Sequence, residues 1–362
     1  MSMVVAVVGA TGAVGREMLR TLERREFPAD RVVALASGKS AGKKLPFRGA
    51  ELVVEELGPE SFEGVNIALF SAGASVSREY GPIAAAAGAV VIDNSSAWRM
   101  DDEVPLVVPE VNPQAVLHRR KGIIANPNCS TIQLVVALKP LHDEAHVEHI
   151  VVSTYQATSG KGQAAVEELR AQLAAVVAGK RPEHQVFPGQ MAMNVLSDWK
   201  GGKDGYSEEE LKLVHETRKI MGDAEIGVTP TCVRVPVVTG HAESVHVRFK
   251  KPLSAARARE LLANAPGVVL DQQMSMAYDT QYRVTFKDVV VPVANRVGAE
   301  KSGWKTWNEA MYKGAILLAA YALSFFLPLM VNNKALLVSY NGEWSSPAAR
   351  DFFASLPLIG GL

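Results

Sequence analysis

Val4-Val5-Ala6-Val7-Val8-Gly9-Ala10-Thr11-Gly12-Ala13-Val14-Gly15 decides the fold of this chain. Five apolar, mostly β-branched residues read as a buried strand, and the glycines after them turn the backbone into a helical pattern over about residues 13–24. A strand, a tight Gly-rich turn and a helix in that order aim backbone N–H groups at an anion such as a pyrophosphate. Gly9, Thr11, Gly12, Ala13, Val14 and Gly15 are the candidate contacts; the bland alternative is a plain strand-to-helix turn. The run carries no basic leader and is broken by glycine, so it reads as a strand and not a signal peptide.

Outward from this run the same texture repeats. VVALAS (32–37), VNIALFSA (65–72), AVVIDNSS (89–96) and IIANPN (123–128) alternate with helical patterns, which predicts a parallel, doubly wound sheet. From about residue 129 to 263, longer alternating strands mix with three helices, the mark of an α+β substrate domain. The chain thus reads as α/β: a Rossmann-type doubly wound cofactor domain over 1–128, an α+β substrate domain over 129–302, to which the resemblance stated below adds catalysis and dimerisation, and an atypical, unassigned tail over 332–362. A final helix near 308–331 is expected to pack back on the first domain. The 362 residues balance 38 Lys and Arg against 38 Asp and Glu, so no net field holds a nucleic acid and the partner is expected to be small. Two cysteines, Cys129 and Cys232, are too few for a disulfide framework, which suits a reducing, cytoplasmic home. Residues 314–331 carry no charge, and a buried helix is favoured there over contact with a membrane.

Two further loops bear on the cofactor. Where an ordinary NAD site places an acid after the second strand, this chain has Ser37, Gly38, Lys39 and Ser40. Two hydroxyls and a cation suit a 2′-phosphate, hence NADP; a solvated lysine loop is the alternative. Ser71 and Gly73 follow a later strand as a second cofactor loop or only a turn.

Cys129 stands where a strand ends and an apolar helix begins, a position whose partial positive charge lowers a thiol pKa. By itself such a cysteine reads equally as a small buried hydrophobe. Arg234 and His241 lie in CVRVPVVTGH (232–241): histidine is the natural acid/base near neutral pH and arginine the natural fork for a carboxylate. Their odd spacing puts them on opposite strand faces, so the turn at Gly240 must re-aim the imidazole. His142, Asp143, His146 and His149 crowd into HDEAHVEH (142–149), but no hydrophobic period supports a helix there, and no metal is expected. Cys232 sits inside a strand and is expected to be structural.

GATGAVG, SGKSAG, DNSSAWRM, NPNCST, TYQATSGKG, EEELKLVHETRKI and RVPVVTGH occur in the order found in aspartate-semialdehyde dehydrogenases, and the chain resembles that family over roughly residues 3–270. The resemblance implies an NADP-dependent homodimer that reduces aspartyl phosphate to aspartate semialdehyde with release of phosphate. In it Cys129 resembles the nucleophile, His241 the general acid/base and Gln156 the residue orienting the intermediate. Arg234 resembles the clamp on the substrate's α-carboxylate and Glu209 the acid that receives its amino group. Arg99, Lys212 and Asn128 resemble the phosphate site, and Ser159 and Gly160 are implied to touch the cofactor. Without the family, Glu209 and Lys212 would read as an exposed ion pair. The nearest enzyme alternative is an N-acetylglutamyl-phosphate reductase, whose substrate has no ammonium for Glu209; the other is a catalytically silent fusion.

Two stretches depart from the family pattern. Leu196-Ser197-Asp198-Trp199 stands where the family carries a Pro-containing segment. Near residue 273 the pattern breaks: Ala310 takes the place of an asparagine that faces the nicotinamide, and Asn308 is out of register. TFKDVVVPVANRVGAEKSGWKT (285–306) is similar to a short acyl-CoA dehydrogenase signature. ALSFFLPLMVNNKALLVSYNGEW (322–344) resembles a segment of oligopeptide-type transporter permeases, so a composite C-terminus is expected.

Overall fold

A run of apolar residues with no alternation is explained when both faces of its strand are covered, and β1 (Val4–Val8) is buried along its whole length. The computed structural model describes residues 2–202, 204–274, 280–286, 339–340 and 343–344. The chain forms two compact units, Met1–Asn295 and Arg296–Leu362. The first unit opens with β1, α1 (Ala13–Arg24), β2 (Arg31–Ala36), β3 (Lys44–Phe47), β4 (Ala50–Glu56) and β5 (Ile67–Phe70). It continues with α2 (Ala74–Ala86), β6 (Val90–Asp93) and β7 (Ile123–Ala125). These strands make one sheet in the order β3-β4-β2-β1-β5-β6-β7, parallel except where β3 folds back on β4. The doubly wound expectation is borne out. The pair β3 and β4 escaped it, because KLPF is short and charged residues fill most of the exposed positions of β4.

Val4, Ala6 and Val8 pack into one core with Phe62 and Phe70, whose rings stack 5.9 Å apart. Val5 and Val7 face the other way, against Leu19 and Leu22 of α1. Each of the valine, leucine and phenylalanine side chains contributes about 1.5–3 kcal/mol on burial. The two cores fix β1, and so fix where its C-terminal turn points.

The second half carries α3 (Cys129–Ala145), β8 (Val147–Gln156), α4 (Gln163–Val177), α5 (Glu208–Met221), β9 (Gly227–Arg234), β10 (Ala242–Phe249) and α6 (Ala255–Ala263). β8 is the centre of a three-stranded sheet, parallel to β9 and antiparallel to β10. β11 (Val268–Met274) and β12 (Thr280–Phe286) form a separate antiparallel pair. In the second unit the described residues form one short pair, Ser339–Tyr340 with Glu343–Trp344.

α5 begins with a capping box, Ser207 with Glu210, and ends at Gly222 in the left-handed region (φ +68°). α3 runs to Ala145, so His142 and Asp143 are helical and His146 ends the helix at φ +59°. The sequence expectation of no helix through HDEAHVEH is corrected: Leu134 and Leu138 bury the helix face, and that packing extends the helix into the polar segment. Asn308, Ala310 and residues 314–331 lie outside the described residues, and no helix among the described ones is long and apolar enough to cross a membrane.

Candidate active site

Cys129 is the first residue of α3, and the residue before it sets its place. Asn128 caps the helix, its Oδ1 accepting from the N–H groups of Ser130 at 3.0 Å and Thr131 at 3.3 Å. The Asn128 Nδ2 donates to Glu209 Oε1 at 2.8 Å, and its backbone N–H donates to Glu216 Oε2 at 2.6 Å. Two carboxylates of α5 therefore grip the turn that presents the thiol. On the other side Gly240 (φ +88°) re-aims the chain between β9 and β10, as the sequence required. His241 Nε2 then stands 3.2 Å from Cys129 Sγ, while Nδ1 accepts the Ala157 backbone N–H at 2.9 Å.

The thiol is solvent-accessible but surrounded by protein at the base of a cleft. Burial, followed by the negative charge of Glu209, pushes its pKa up to about 11, against the pull of the Ser130 N–H and Arg99. This overturns the sequence expectation of a lowered pKa: the helix N-terminus is present, and desolvation outweighs it. Burial also lowers the pKa of His241, so the resting pair is neutral on both sides.

Glu209 lies on the buried face of α5 and is 4% exposed. Burial works to raise its pKa, yet the Lys212 ammonium at 2.9 Å and donors from Gln156 (3.0 Å) and Asn128 hold it below the ordinary carboxylate value. Glu209 is thus an ionised group in a protein-walled cleft, not an exposed ion pair. Arg99, 8% exposed, donates to Glu216 at 3.1 Å and to the Asn94 carbonyl at 3.1 Å, and its buried Nε has no partner in the protein. Arg234 is held by Asp198 through Nε, by the Ala157 carbonyl at 2.7 Å, and over the Trp199 ring at 4.7 Å.

Every catalytic and substrate-binding candidate lines one cleft of about 810 Å³, together with Val14, Ser159 and Gly160. Gly9, Thr11, Gly12, Ala13 and Gly15 form the turn from β1 into α1. A Cβ at Gly15 would collide with the Gly9 carbonyl oxygen, and no side chain caps the first turn of α1. Those open N–H groups and that close approach of backbone fit a dinucleotide pyrophosphate. Ser71 Oγ is committed to the Val8 carbonyl, and Gly73 (φ +92°) caps α2. Ser37, Lys39 and Ser40 form a short turn after β2, where Lys43 donates to Ser40 Oγ at 3.2 Å. One acid hidden from the local sequence is near: a Cβ on Gly38 would meet Glu56 Oε1 at 2.6 Å, because the end of β4 pairs with the end of β2.

Sequence reasoning missed Glu216, Lys219, Asp198 and Lys161. Lys219 donates to the carbonyls of Arg99, Asp101 and Val104 and holds the loop that carries Arg99. Glu209, Lys212, Glu216 and Lys219 recur at helical spacing, the one signal that could have revealed the face. Asp198, 1% exposed at its side chain, accepts from both Arg234 and Lys161, so the segment that departs from the family pattern orients the cleft's cations.

His142, His146 and Asp223 converge, with His146 Nε2 and Asp223 Oδ2 3.2 Å apart. His142 Nδ1 accepts the Val147 N–H at 3.2 Å, which puts the neutral ring's proton on Nε2. That tautomer opposes ligation, and the two rings lie tilted at 33° with their centroids 4.5 Å apart. His149 faces elsewhere, to Thr229. Cys232 is buried, its thiol pushed up to about 12 by desolvation.

Two family models match: the NAD-binding domain of semialdehyde dehydrogenases over residues 4–118 and their dimerisation domain over 138–307. An aspartate-semialdehyde dehydrogenase of Aquifex aeolicus is 54% identical over 291 residues, 79% of this chain and 86% of that protein. The Vibrio cholerae aspartate semialdehyde dehydrogenase II complexed with ASA superposes with a TM-score of 0.71 at 48% identity, covering 74% of this chain and 80% of that one. A Candida albicans aspartate semialdehyde dehydrogenase solved with NADP shares the fold at 24% identity, with a TM-score of 0.59 over 78% of this chain and 93% of that one. With relatives this similar over most of its length, the chain belongs to the aspartate-semialdehyde dehydrogenase family.

Proposed function

We propose that this chain is an NADP-dependent aspartate-semialdehyde dehydrogenase, acting through a Cys129 thioester on L-aspartyl 4-phosphate to give L-aspartate 4-semialdehyde and phosphate. The observation that carries it is His241 Nε2 at 3.2 Å from a cleft-facing Cys129 sulfur, among paired cations. Arg234 takes the substrate α-carboxylate, the ionised Glu209 takes its ammonium, and Arg99, Lys212 and Asn128 receive the phosphate. Gln156, held by Glu209 and by the Thr154 hydroxyl at 3.0 Å, fixes the acyl oxygen. The Cys129 sulfur attacks the acyl carbon, phosphate departs, and a thioester remains. His241 handles the proton at the reacting oxygen through Nε2, the ring nitrogen nearer the sulfur.

Gly9 to Gly15 would hold the pyrophosphate of NADP, Ser37, Lys39 and Ser40 its 2′-phosphate, and Ser71, Gly73, Ser159 and Gly160 the rest. When bound as NADPH, the cofactor supplies the hydride that takes the thioester to the aldehyde level. The ionised Glu209 favours a free-amine substrate over an N-acetylated one, because an amide offers it no cation.

The test is NADP reduction with aspartate semialdehyde, with and without phosphate. Reduction is expected to require phosphate, to be stronger with NADP than with NAD, and to be far weaker with the N-acetylglutamate semialdehyde. Preference for the N-acetylated aldehyde would overturn the reading, as would absence of turnover.

A division near residue 128 and a cytosolic, homodimeric state are part of the same proposal. The face of the three-stranded sheet opposite α3 presents Val151 (45% exposed) and Tyr155 (43%), next to Thr229 and Val233 of β9 and Ala242 and His246 of β10. Tyr155→Glu puts a charge on this face and is expected to convert a dimer to a monomer in light-scattering chromatography. A variant that stays dimeric would place the interface elsewhere.

A further inference from the structure

We infer that Glu216 is a positioning residue for phosphate: its one carboxylate fixes the Arg99 guanidinium against the turn that carries Cys129, and so sets the affinity for phosphate through Arg99. This deepens the proposed reaction and rests on it. Glu209, Lys212, Glu216 and Lys219 share a face of α5, and the proposed reaction uses only the first two. Glu216 is 2% exposed. Its Oε2 accepts the Asn128 backbone N–H at 2.6 Å, one residue before the thiol, and its Oε1 accepts from Arg99 Nη1 at 3.1 Å, on the loop after β6. One planar group therefore ties together two segments that the sequence keeps apart. Lys219, a turn further on, donates to the Arg99 carbonyl at 2.9 Å, and Arg99 Nη2 donates to the Asn94 carbonyl at 3.1 Å. Arg99 is thus held by its main chain and by both terminal nitrogens. One N–H of each Nη is spent in these contacts and one is left over, on a side chain that lines the cleft.

Two effects of the carboxylate oppose each other at this site. As an anion it repels phosphate and offsets part of the Arg99 charge; as an acceptor it holds the guanidinium fork in one orientation, which paired N–H···O bonds to a phosphate require. Burial decides between them. Arg99 is 8% exposed, and a buried guanidinium stripped of its partner moves toward water, out of register with the sulfur. The orientation is worth more to phosphate than the relief of repulsion.

The experiment measures NADP reduction in Glu216→Gln, varying phosphate, aspartate semialdehyde and NADP in turn. The glutamine has the same length. Its Oε1 is expected to stay on the fixed Asn128 N–H, which sets its amide N–H groups against Arg99 Nη1, donor to donor. KM for phosphate should rise about tenfold or more, with the other two KM values within about twofold of the wild type. An unchanged phosphate KM would overturn the inference; so would a fall, by showing a carboxylate that only repels, or an equal rise in all three, by showing general structural support. In an Arg99→Lys background the same substitution should change the phosphate KM by about twofold or less, and full multiplication of the two single effects would overturn the action through Arg99. Glu216→Asp keeps the charge but is one carbon shorter and cannot span both partners, so phosphate KM should rise there too; a wild-type value would overturn the inference even if the glutamine variant does not fold. Broadening of the 31P signal of inorganic phosphate by the empty enzyme reads the same affinity without turnover. A weakened phosphate site in the variants beside a wild type with no turnover would sink the reaction alone, whereas turnover in the wild type with an unmoved phosphate site in the variants would sink this inference alone.

Discussion

Cys129→Ala is expected to cut phosphate-dependent NADP reduction by about 10⁴-fold or more, the scale seen when a covalent nucleophile is removed. The fold should not suffer. Cys129 opens a helix whose cap is Asn128, and the hydrogen bonds from Ser130 and Thr131 to that cap do not involve the thiol. Alkylation gives an independent reading, since Cys129 faces the cleft and Cys232 is 2% exposed. One adduct per wild-type chain and none in the variant is the expected mass. With the thiol pushed up to about 11, the alkylation rate of the empty enzyme should climb about tenfold per pH unit over the neutral and mildly alkaline range. A flat profile there would mean a resting thiolate, and retained turnover in the alanine variant would remove the covalent mechanism altogether.

The thiol also shows where sequence reasoning reaches its end. That Cys129 begins a helix is legible in IIANPNCST, and the sign of the helix end is a local fact. The charge of Glu209, eighty residues on in α5, and the protein packed around the cleft arrive only with the tertiary fold, and they reverse the local expectation. The doubly wound sheet was legible because β1, β2, β5, β6 and β7 are continuous apolar runs, a pattern that burial on both faces demands. β3 and β4 were not, since they flank the sheet and carry polar residues. Motif order placed Cys129, Gln156, Glu209, Arg234 and His241, and the fold gathers them around one cleft. Glu216 and Ala157 escaped, one for want of a visible partner and the other because its contribution is a backbone N–H, which no side-chain pattern encodes. Glu56 belongs with them: sequence distance from Gly38 hides a proximity created by strand pairing.

Asp198→Ala should destabilise the protein by about 3 kcal/mol or more, the usual cost of stripping one partner from a buried ion pair. Asp198 is 1% exposed and Arg234 5% at their side chains, with Arg234 Nε 3.1 and 3.2 Å from the two carboxylate oxygens. Lys161 Nζ lies 2.8 Å from the same carboxylate, so removing Asp198 takes one shared acceptor from both cations. Arg234 keeps the Ala157 carbonyl and the Trp199 ring, but neither fixes the guanidinium against rotation about that anchor. A clamp that wanders by an ångström is expected to cost about 10²-fold in kcat/KM, carried mainly by KM for the carboxylate-bearing substrate. Denaturant unfolding of Asp198→Ala and Asp198→Asn, beside steady-state kinetics, separates the effects. The asparagine keeps an acceptor for Arg234 while losing the charge, so it should recover part of the KM and less of the stability. If the alanine variant unfolds like the wild type with KM unchanged, Arg234 does not depend on Asp198 for its place in the site.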